Sequence, residues 1–382
     1  MDVTVNANIN STLKTRKDNM NTIDAYKKLD ETVDMKKVLG SMYSMPPDIS
    51  IENHMRFITS NLGNPGLYPG TLKMEKDVME FIYDLVGRTD CISGRIVSGG
   101  TEANITALWI MRNIEKSRNS GRKKILIPPT AHFSIIKAID LLELEPVIVP
   151  VDKQYKIIPE EIADLSENAM GIVAIAGNTE FGTVDPIDKI SNIVNIPVHV
   201  DAAFGGFVLP FMEDKKSFGF ENEMVRSITI DPHKMGLSTI PAGALVLRNA
   251  DMWNYIRFPS VYLTERENTS LLGTRGSGGV AGAFSSINHF GREGYRKIVD
   301  NCMLVTKYLA KEIRKIGHFI PVEPETNILT FDMPEDTYYK MERKGWHLSR
   351  TKNGNYCRLV IMPHVTMEVA ENFVDDLNEI TS

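Results

Sequence analysis

Short runs rich in Ile and Val alternate along this chain with stretches whose apolar residues recur every three to four positions. The runs at 124–128, 146–151, 171–176, 197–200, 227–230 and 242–247 are strand-length and apolar on both faces, the pattern of a mostly parallel sheet covered by helices. Helical spacing predicts helices over 23–39, 72–86, 101–116, 133–142 and 187–194. The stretch 40–71 is crowded with Gly and Pro, as in Asn61-Leu62-Gly63-Asn64-Pro65-Gly66, and reads as irregular. Segments of that length inside a compact protein are usually functional or buried against a partner. Beyond Gly291 the pattern predicts a helix over 295–316, strands over 327–331 and 358–361, and a closing helix over 366–380. The expected organisation is an arm and helix over 1–54, a large domain over 55–290 and a small α+β domain over 291–382.

The first 21 residues are polar and without periodicity, so a mobile arm is expected; they lack the apolar core of a secretory signal. The 382 residues exceed the size at which a single core usually stops growing. A net charge of −6 leaves no basic footprint for nucleic acid or an anionic membrane, and no apolar run reaches membrane-spanning length. Cys91, Cys302 and Cys357 are scattered, with neither disulfide nor zinc spacing, so reduced thiols in the cytoplasm are expected and no metal site.

Candidate chemistry lies just past the strand ends, where ligands bind in open α/β sheets. Lys234 follows the Ile228-Thr229-Ile230 strand within Asp231-Pro232-His233-Lys234-Met235-Gly236, a candidate Schiff-base former. Asp201 ends another strand and could pair with a pyridinium nitrogen; small Ala202 and Ala203 leave room for a flat ring. The segment Ser98-Gly99-Gly100-Thr101 opens a helix, whose free N–H groups and dipole suit a phosphate. An amine, an anion and a phosphate cradle are what pyridoxal phosphate requires of a protein. His233 is a candidate phosphate contact or proton shuttle. His132 could stack on an aromatic cofactor opposite Ala203, and Thr179 could donate to a ring substituent. Each residue also has an ordinary role: Thr101 as a helix cap, Asp201 or Thr179 in a turn, Lys234 on the surface, the histidines bonded to backbone.

The motifs SGGTEAN, TAHFS, AGNTEFGTVDPI, HVDAAFGG, SITIDPHKMG and LLGTRGSGG, in that order, resemble the group II pyridoxal-phosphate decarboxylases. NLGNPGLYPGT and CRLVIMPHVT are similar to its archaeal tyrosine/aspartate branch, found in methanogens. The resemblance runs from Tyr43 to the C-terminus. It implies an α/β, fold-type-I, aminotransferase-like chain with a mostly parallel seven-stranded sheet, helices on both faces and a smaller C-terminal α+β domain. It also implies a homodimer with active sites at the subunit interface. By resemblance, Lys234 is the Schiff-base lysine, Asp201 the partner of the ring nitrogen and His132 the stacking residue. Ser98, Gly99, Gly100, Thr101 and His233 surround the phosphate, with Thr274 reaching in from the second subunit. Thr179 matches a residue near the ring hydroxyl or carboxylate. Asp231 stands where several relatives carry Asn.

The implied reaction is loss of the α-carboxylate from an L-amino acid, most simply tyrosine to tyramine for methanofuran or aspartate to β-alanine for coenzyme A. Tyr262 is a candidate proton donor, or a buried interface tyrosine. Tyr68 could line the substrate pocket and Arg358 could clamp a carboxylate; a strand-terminal surface arginine is its alternative. An aminotransferase, a carbon–carbon lyase or a non-catalytic cofactor-binding protein would share much of the constellation. A desulfurase would need a mobile cysteine, and neither Cys302 nor Cys357 sits in such a segment.

Overall fold

The structure is a computed structural model that describes residues 22–381; the expected arm over 1–21 lies outside the described residues. Helix α1 spans 22–30. It is followed by α2 (Asp48–Arg56), α3 (Pro69–Leu85), β1 (Ser93–Val97), α4 (Gly100–Ser117), β2 (Lys124–Ile127), α5 (Phe133–Leu141) and β3 (Glu145–Ile148). Then come α6 (Ala163–Ser166), β4 (Ala169–Ile175), α7 (Ile187–Ile193), β5 (Val198–Asp201), β6 (Val225–Ile230) and β7 (Gly243–Leu247). A two-residue hairpin pairs β8 (Phe258–Pro259) with β9 (Glu267–Asn268). The chain closes with α8 (Gly278–Ile316), β10 (Ile328–Asp332), α9 (Glu335–Arg343), β11 (Ser349–Arg350), β12 (Tyr356–Val360) and α10 (Met367–Thr381).

Seven strands form the main sheet in the order β1-β7-β6-β5-β4-β2-β3. β2 through β6 run parallel, whereas β7 is antiparallel to both of its neighbours. Alternate residues of β4 separate the two faces: Ile172 and Ala174 pack into one core with α3, α7 and α8, and Val173 and Ile175 into a second with α4 and α5. That alternation is why the strands read as continuously apolar. A second, three-stranded antiparallel sheet of β10, β12 and β11 lies with α9 and α10 at the C-terminal end.

The expected strands of the large sheet appear to within two residues, except that the second of them, β3, stops at Ile148 rather than at 151. β1 was not legible: its Ser93-Gly94-Arg95 half is only partly buried, and it pairs on one side alone. The reading of 40–71 as irregular is corrected by α2. Its polar Ser50, Asn53 and His54 bond to Ser286, Ser285 and Thr239, while Ile49, Ile51 and Met55 face outward. The helix is amphipathic the wrong way round for a solvent-facing element. The helix expected over 23–39 ends at residue 30 and gives way to a single 3-10 turn at Met35–Lys37.

α8 begins well before the expected helix and turns sharply at Gly291, whose φ of 57° and ψ of −174° are non-helical. Its first half carries Gly279 and Gly282, where a side chain would run into Pro241 and Thr239. This close approach seats α8 against the loop that follows Lys234.

A buried ion pair ties the sheet edge to the surrounding loops. Glu75 in α3 meets Arg275 at 2.6 Å and accepts from Ile96 N at 2.9 Å. Arg275 also donates to Ile96 O and Leu62 O. Removing one partner of such a pair strands a desolvated charge. We therefore expect Arg275→Met to lower stability by about 3–5 kcal/mol. Lys73→Ala, which removes an exposed pair with Asp77, should change it by about 0.5 kcal/mol or less. Urea denaturation of both variants checks the contrast.

Candidate active site

The C-terminal ends of the parallel strands open into a cavity of about 300 Å³. Ser98, Gly99, Gly100, Thr101, His132, Thr179, Asp201, Ala203, Asp231, His233 and Lys234 all line it, joined by Asn104, Thr130, Ser134, Ile175, Gly177 and Phe204.

On one side, β1 leads into α4 through Gly99 and Gly100. Gly99 rather than Thr101 stands at the cap, and no side chain caps the helix. Glu102 instead reaches back to accept from Ser98 N at 2.7 Å. The first-turn N–H groups thus face the cavity end of an 18-residue helix. A Cβ at Gly100 would sit 2.9 Å from Asp231 Oδ2, and one at Gly99 3.3 Å from His233. Gly100 is thus required by the closeness of that turn to the loop after β6, and Gly99 is tightly fitted there.

That loop holds Lys234. Its Nζ lies 3.0 Å from Asp231 Oδ2, and its backbone N–H donates to Asp231 O. Asp231 is almost fully buried, so the charged pair sits in a weakly solvated pocket. His233 Nδ1 is 2.6 Å from Ala242 O. Asp201, at the end of β5, accepts from Ala203 N at 3.1 Å and from Asn104 Nδ2 at 2.9 Å. His132 caps α5, its Nδ1 2.9 Å from Ser134 Oγ, and burial lowers its basicity. Thr179 stands in the tight turn after β4, where Gly177 takes a φ of +88° and packs on Gly205.

The remaining expected residues lie outside this cavity. Arg358 in β12 donates to Thr179 O, Gly40 O and Ser349 Oγ, bracing the site's wall. Tyr262 is 83% exposed. Tyr68 and Thr274 flank the same surface region, where the 61–66 loop is fastened to Thr264 and Arg275. Cys302 and Cys357 are buried, and burial pushes both thiols up to about 12, far from a reactive thiolate. Sequence reasoning passed over Asn104 and Ser134. They lie inside the SGGTEAN and TAHFS motifs, but nothing local marks an amide or hydroxyl as facing inward. It also missed Lys352, at the tip of the β11–β12 turn, which donates to Ala131 O beside His132.

Residues 30–333 match the family model described as the pyridoxal-dependent decarboxylase conserved domain. The chain belongs to the pyridoxal-dependent decarboxylase family. This decarboxylase is 40% identical over 362 residues to a protein of Archaeoglobus fulgidus named "Probable L-aspartate decarboxylase", covering 93% of this chain and 97% of that one. It is 39% identical to the "Probable L-tyrosine/L-aspartate decarboxylase" of Methanosarcina acetivorans, covering 92% and 94%. It is 40% identical to the "L-aspartate/L-glutamate decarboxylase" of Pyrococcus horikoshii, covering 93% and 94%. In fold it is similar to a Burkholderia pseudomallei sphingosine-1-phosphate lyase (TM-score 0.88, 22% identity, 96% of this chain and 90% of that one). It is likewise similar to a Lactobacillus brevis glutamate decarboxylase (TM-score 0.83, 22% identity, 93% and 91%). The architecture is therefore that of the fold-type-I enzymes.

The decarboxylase uses pyridoxal phosphate and acts on an amino acid. The cavity suits that cofactor. Asp231 Oδ1 and Thr130 Oγ1 are buried without a hydrogen-bond partner, so polar capacity is unfilled there. An anion, a lysine amine and a helix N-terminus converge on one space.

His199 lies beneath the cavity, fully enclosed, and desolvation pushes its imidazole down to about 4 from an ordinary 6.5. The folded state resists protonation that the unfolded chain accepts. The stability tied to neutral His199 is fully present above pH about 6.5 and is lost as pH falls toward about 4. The urea midpoint should decline across that window, and His199→Gln should flatten the decline; equal slopes in both proteins would contradict this.

Proposed function

We propose that the chain removes the α-carboxylate of L-aspartate, giving β-alanine and carbon dioxide. The observation that carries the site reading is the meeting of Lys234, Asp231 and Asp201 in one cavity. The substrate reading is supported by the names of the three archaeal relatives, which have L-aspartate in common. Tyrosine, to tyramine, is the second reading; the name of the Methanosarcina acetivorans relative favours it. β-Alanine would serve coenzyme A synthesis, and tyramine methanofuran synthesis.

Bound pyridoxal phosphate supplies an aldehyde for an amine and a ring that takes up the electron pair left when carbon dioxide departs. The rest falls to the chain. Lys234 would hold the cofactor through its amine, and Asp231, 3.0 Å away, keeps the lysine head in place. Asp201 would pair with the ring nitrogen and hold a proton there. His132 and Ala203 would confine the two faces of the ring, and Thr179 would contact its edge. Ser98, Gly99, Gly100, Thr101 and His233 receive the phosphate.

Thr274, Tyr68 and Tyr262 act, in this proposal, across the interface of a homodimer: Thr274 on the neighbour's phosphate, Tyr68 in its substrate pocket and Tyr262 as proton donor to Cα. Two features support the dimer. Leu67, Phe258, Val261, Tyr262, Leu271 and Leu272 are exposed in the two segments tied together near Thr264. α2 also turns apolar residues outward. We place a domain division at 290/291, at the Gly291 bend; the expected one at 54/55 falls inside α2. The cellular setting proposed is the cytoplasm, in keeping with three free cysteines. No helix among the described residues is long and apolar enough to cross a membrane.

With pyridoxal phosphate supplied, L-aspartate should yield β-alanine and carbon dioxide in equal amounts. Tyrosine, glutamate, DOPA and phenylalanine should follow at lower rates. Release of a keto acid without carbon dioxide would refute the reading. Lys234→Ala should lose turnover and borohydride-dependent covalent fixation of the cofactor, read by intact mass. Sedimentation should show a species of twice the chain mass, and Val261→Glu should shift it toward the monomer.

A further inference from the structure

The four hydrogen-bonding positions of one buried side chain, Asn104, are all filled. Its Nδ2 donates to Asp201 Oδ2 and to Ser134 Oγ, each at 2.9 Å. Its Oδ1 lies 2.6 Å from Thr229 Oγ1 and 2.9 Å from His199 Nε2. Asn104 is 1% exposed and His199 not at all. No water is needed to complete the set.

With Asp201 as a carboxylate and His199 neutral, the contacts take one arrangement of protons. An ionised Asp201 only accepts, so the amide must turn its NH2 toward it. Asn104 Oδ1 then requires donors, and the hydroxyl of Thr229 and Nε2–H of His199 supply them. His199 Nδ1 is left to accept from Ser227 Oγ at 2.8 Å. On the other side, Ser134 receives the second amide hydrogen. It passes its own hydroxyl hydrogen to His132 Nδ1, 2.9 Å away, so the proton of His132 sits on Nε2.

We infer that Asn104 is a positioning residue that couples the two cofactor-facing groups, donating to the Asp201 carboxylate and, through Ser134, reinforcing the neutral Nε2–H form of His132, with His199 as the fixed donor that orients the amide. The inference rests on the proposed roles of Asp201 and His132. Its physical content is that a donated hydrogen bond stabilises the charged carboxylate. Without it, a proton shared with a ring nitrogen shifts toward Asp201, and the ring draws electrons less strongly. Loss of Asn104 also frees Ser134 and loosens the hydroxyl bond to His132 Nδ1, where the backbone N–H of Ser134 remains as a donor 3.3 Å away. Reduced basicity of His199 on burial fits its neutral role.

The test has two arms. In the first, protein labelled with 15N-histidine is examined by NMR between pH 5.5 and 8, with and without pyridoxal phosphate. His199 and His132 should both be neutral Nε2–H tautomers at pH 7.5, and Asn104→Ala should shift the Nδ1 resonance of His132 as its bond to the Ser134 hydroxyl loosens, the backbone N–H of Ser134 still favouring the Nε2–H form. A protonated His199 at pH 7.5, or His132 carrying its proton on Nδ1, overturns the inference. This arm needs no turnover, so it stands apart from failure of the substrate or reaction reading.

The second arm uses the holoenzyme. Asn104→Asp is nearly isosteric but loses both donors. It should lower kcat by roughly 10- to 100-fold and weaken pyridoxal phosphate binding by a similar factor, with KM changed by about threefold or less. The visible band of the bound cofactor should acquire a pH dependence absent from the parent. Should Asn104→Asp fail to fold, as judged by circular dichroism, the paired variants His199→Gln and His199→Leu take its place. Glutamine retains an N–H donor toward Asn104 Oδ1 and should keep kcat within about threefold; leucine should lose about tenfold or more. Equal kcat and equal cofactor spectra in the glutamine and leucine variants would reduce Asn104 to packing and overturn the inference.

Discussion

A carboxylate buried at the end of β5 dictates much of what surrounds it. Asp201 is 6% exposed, and an ion so placed is tolerated only where donors replace water. One donor comes from its own turn, through Ala203 N. The other must come from another element, and α4 brings Asn104 to it. That amide in turn needs donors for its oxygen, which β6 and β5 provide in Thr229 and His199. The demand ends at Ser227 and, on the other branch, at His132. One buried charge thus fixes the relative placement of α4, β5, β6 and the start of α5. Those are the elements whose ends form the cavity.

The second constraint is the contact between the two sheets. Glu325, just before β10, pairs with Lys156 and Lys216 and accepts from Val184 N. Its lysine partners hold the carboxyl below its usual range even against the cost of burial. Arg358 and the tip of the β11–β12 turn then reach the turn after β4 and the loop before His132. Glu180 accepts from Lys352 N in the same place. The C-terminal sheet therefore braces the wall of a site whose cavity-lining residues all come from the larger sheet and its helices.

The parallel strands could be read from sequence because burial on both faces leaves an uninterrupted apolar run. Asp201 and Lys234 were readable for a related reason: each stands at or just past the end of such a run, where open α/β folds bind their ligands, whereas Gly99-Gly100 was readable from the helix it opens. β1 carried neither signal, since half of it is only partly covered. α2 carried a misleading one, because its inward face is hydroxyl, amide and imidazole. Asn104 and Ser134 stood in plain view yet gave no sign of their orientation, which depends on a histidine 95 residues away. Such long-range satisfaction of hydrogen bonds is a property of the packed structure and leaves no local periodicity.

The inverted polarity of α2 has a thermodynamic consequence. Whatever covers Ile49, Ile51 and Met55 binds only the folded chain, so it raises stability by mass action. With a second copy as the cover, the melting temperature becomes a function of protein concentration, and dilution alone acts as a mild denaturant. A single stability value for this chain would then be incomplete without the concentration at which it was taken.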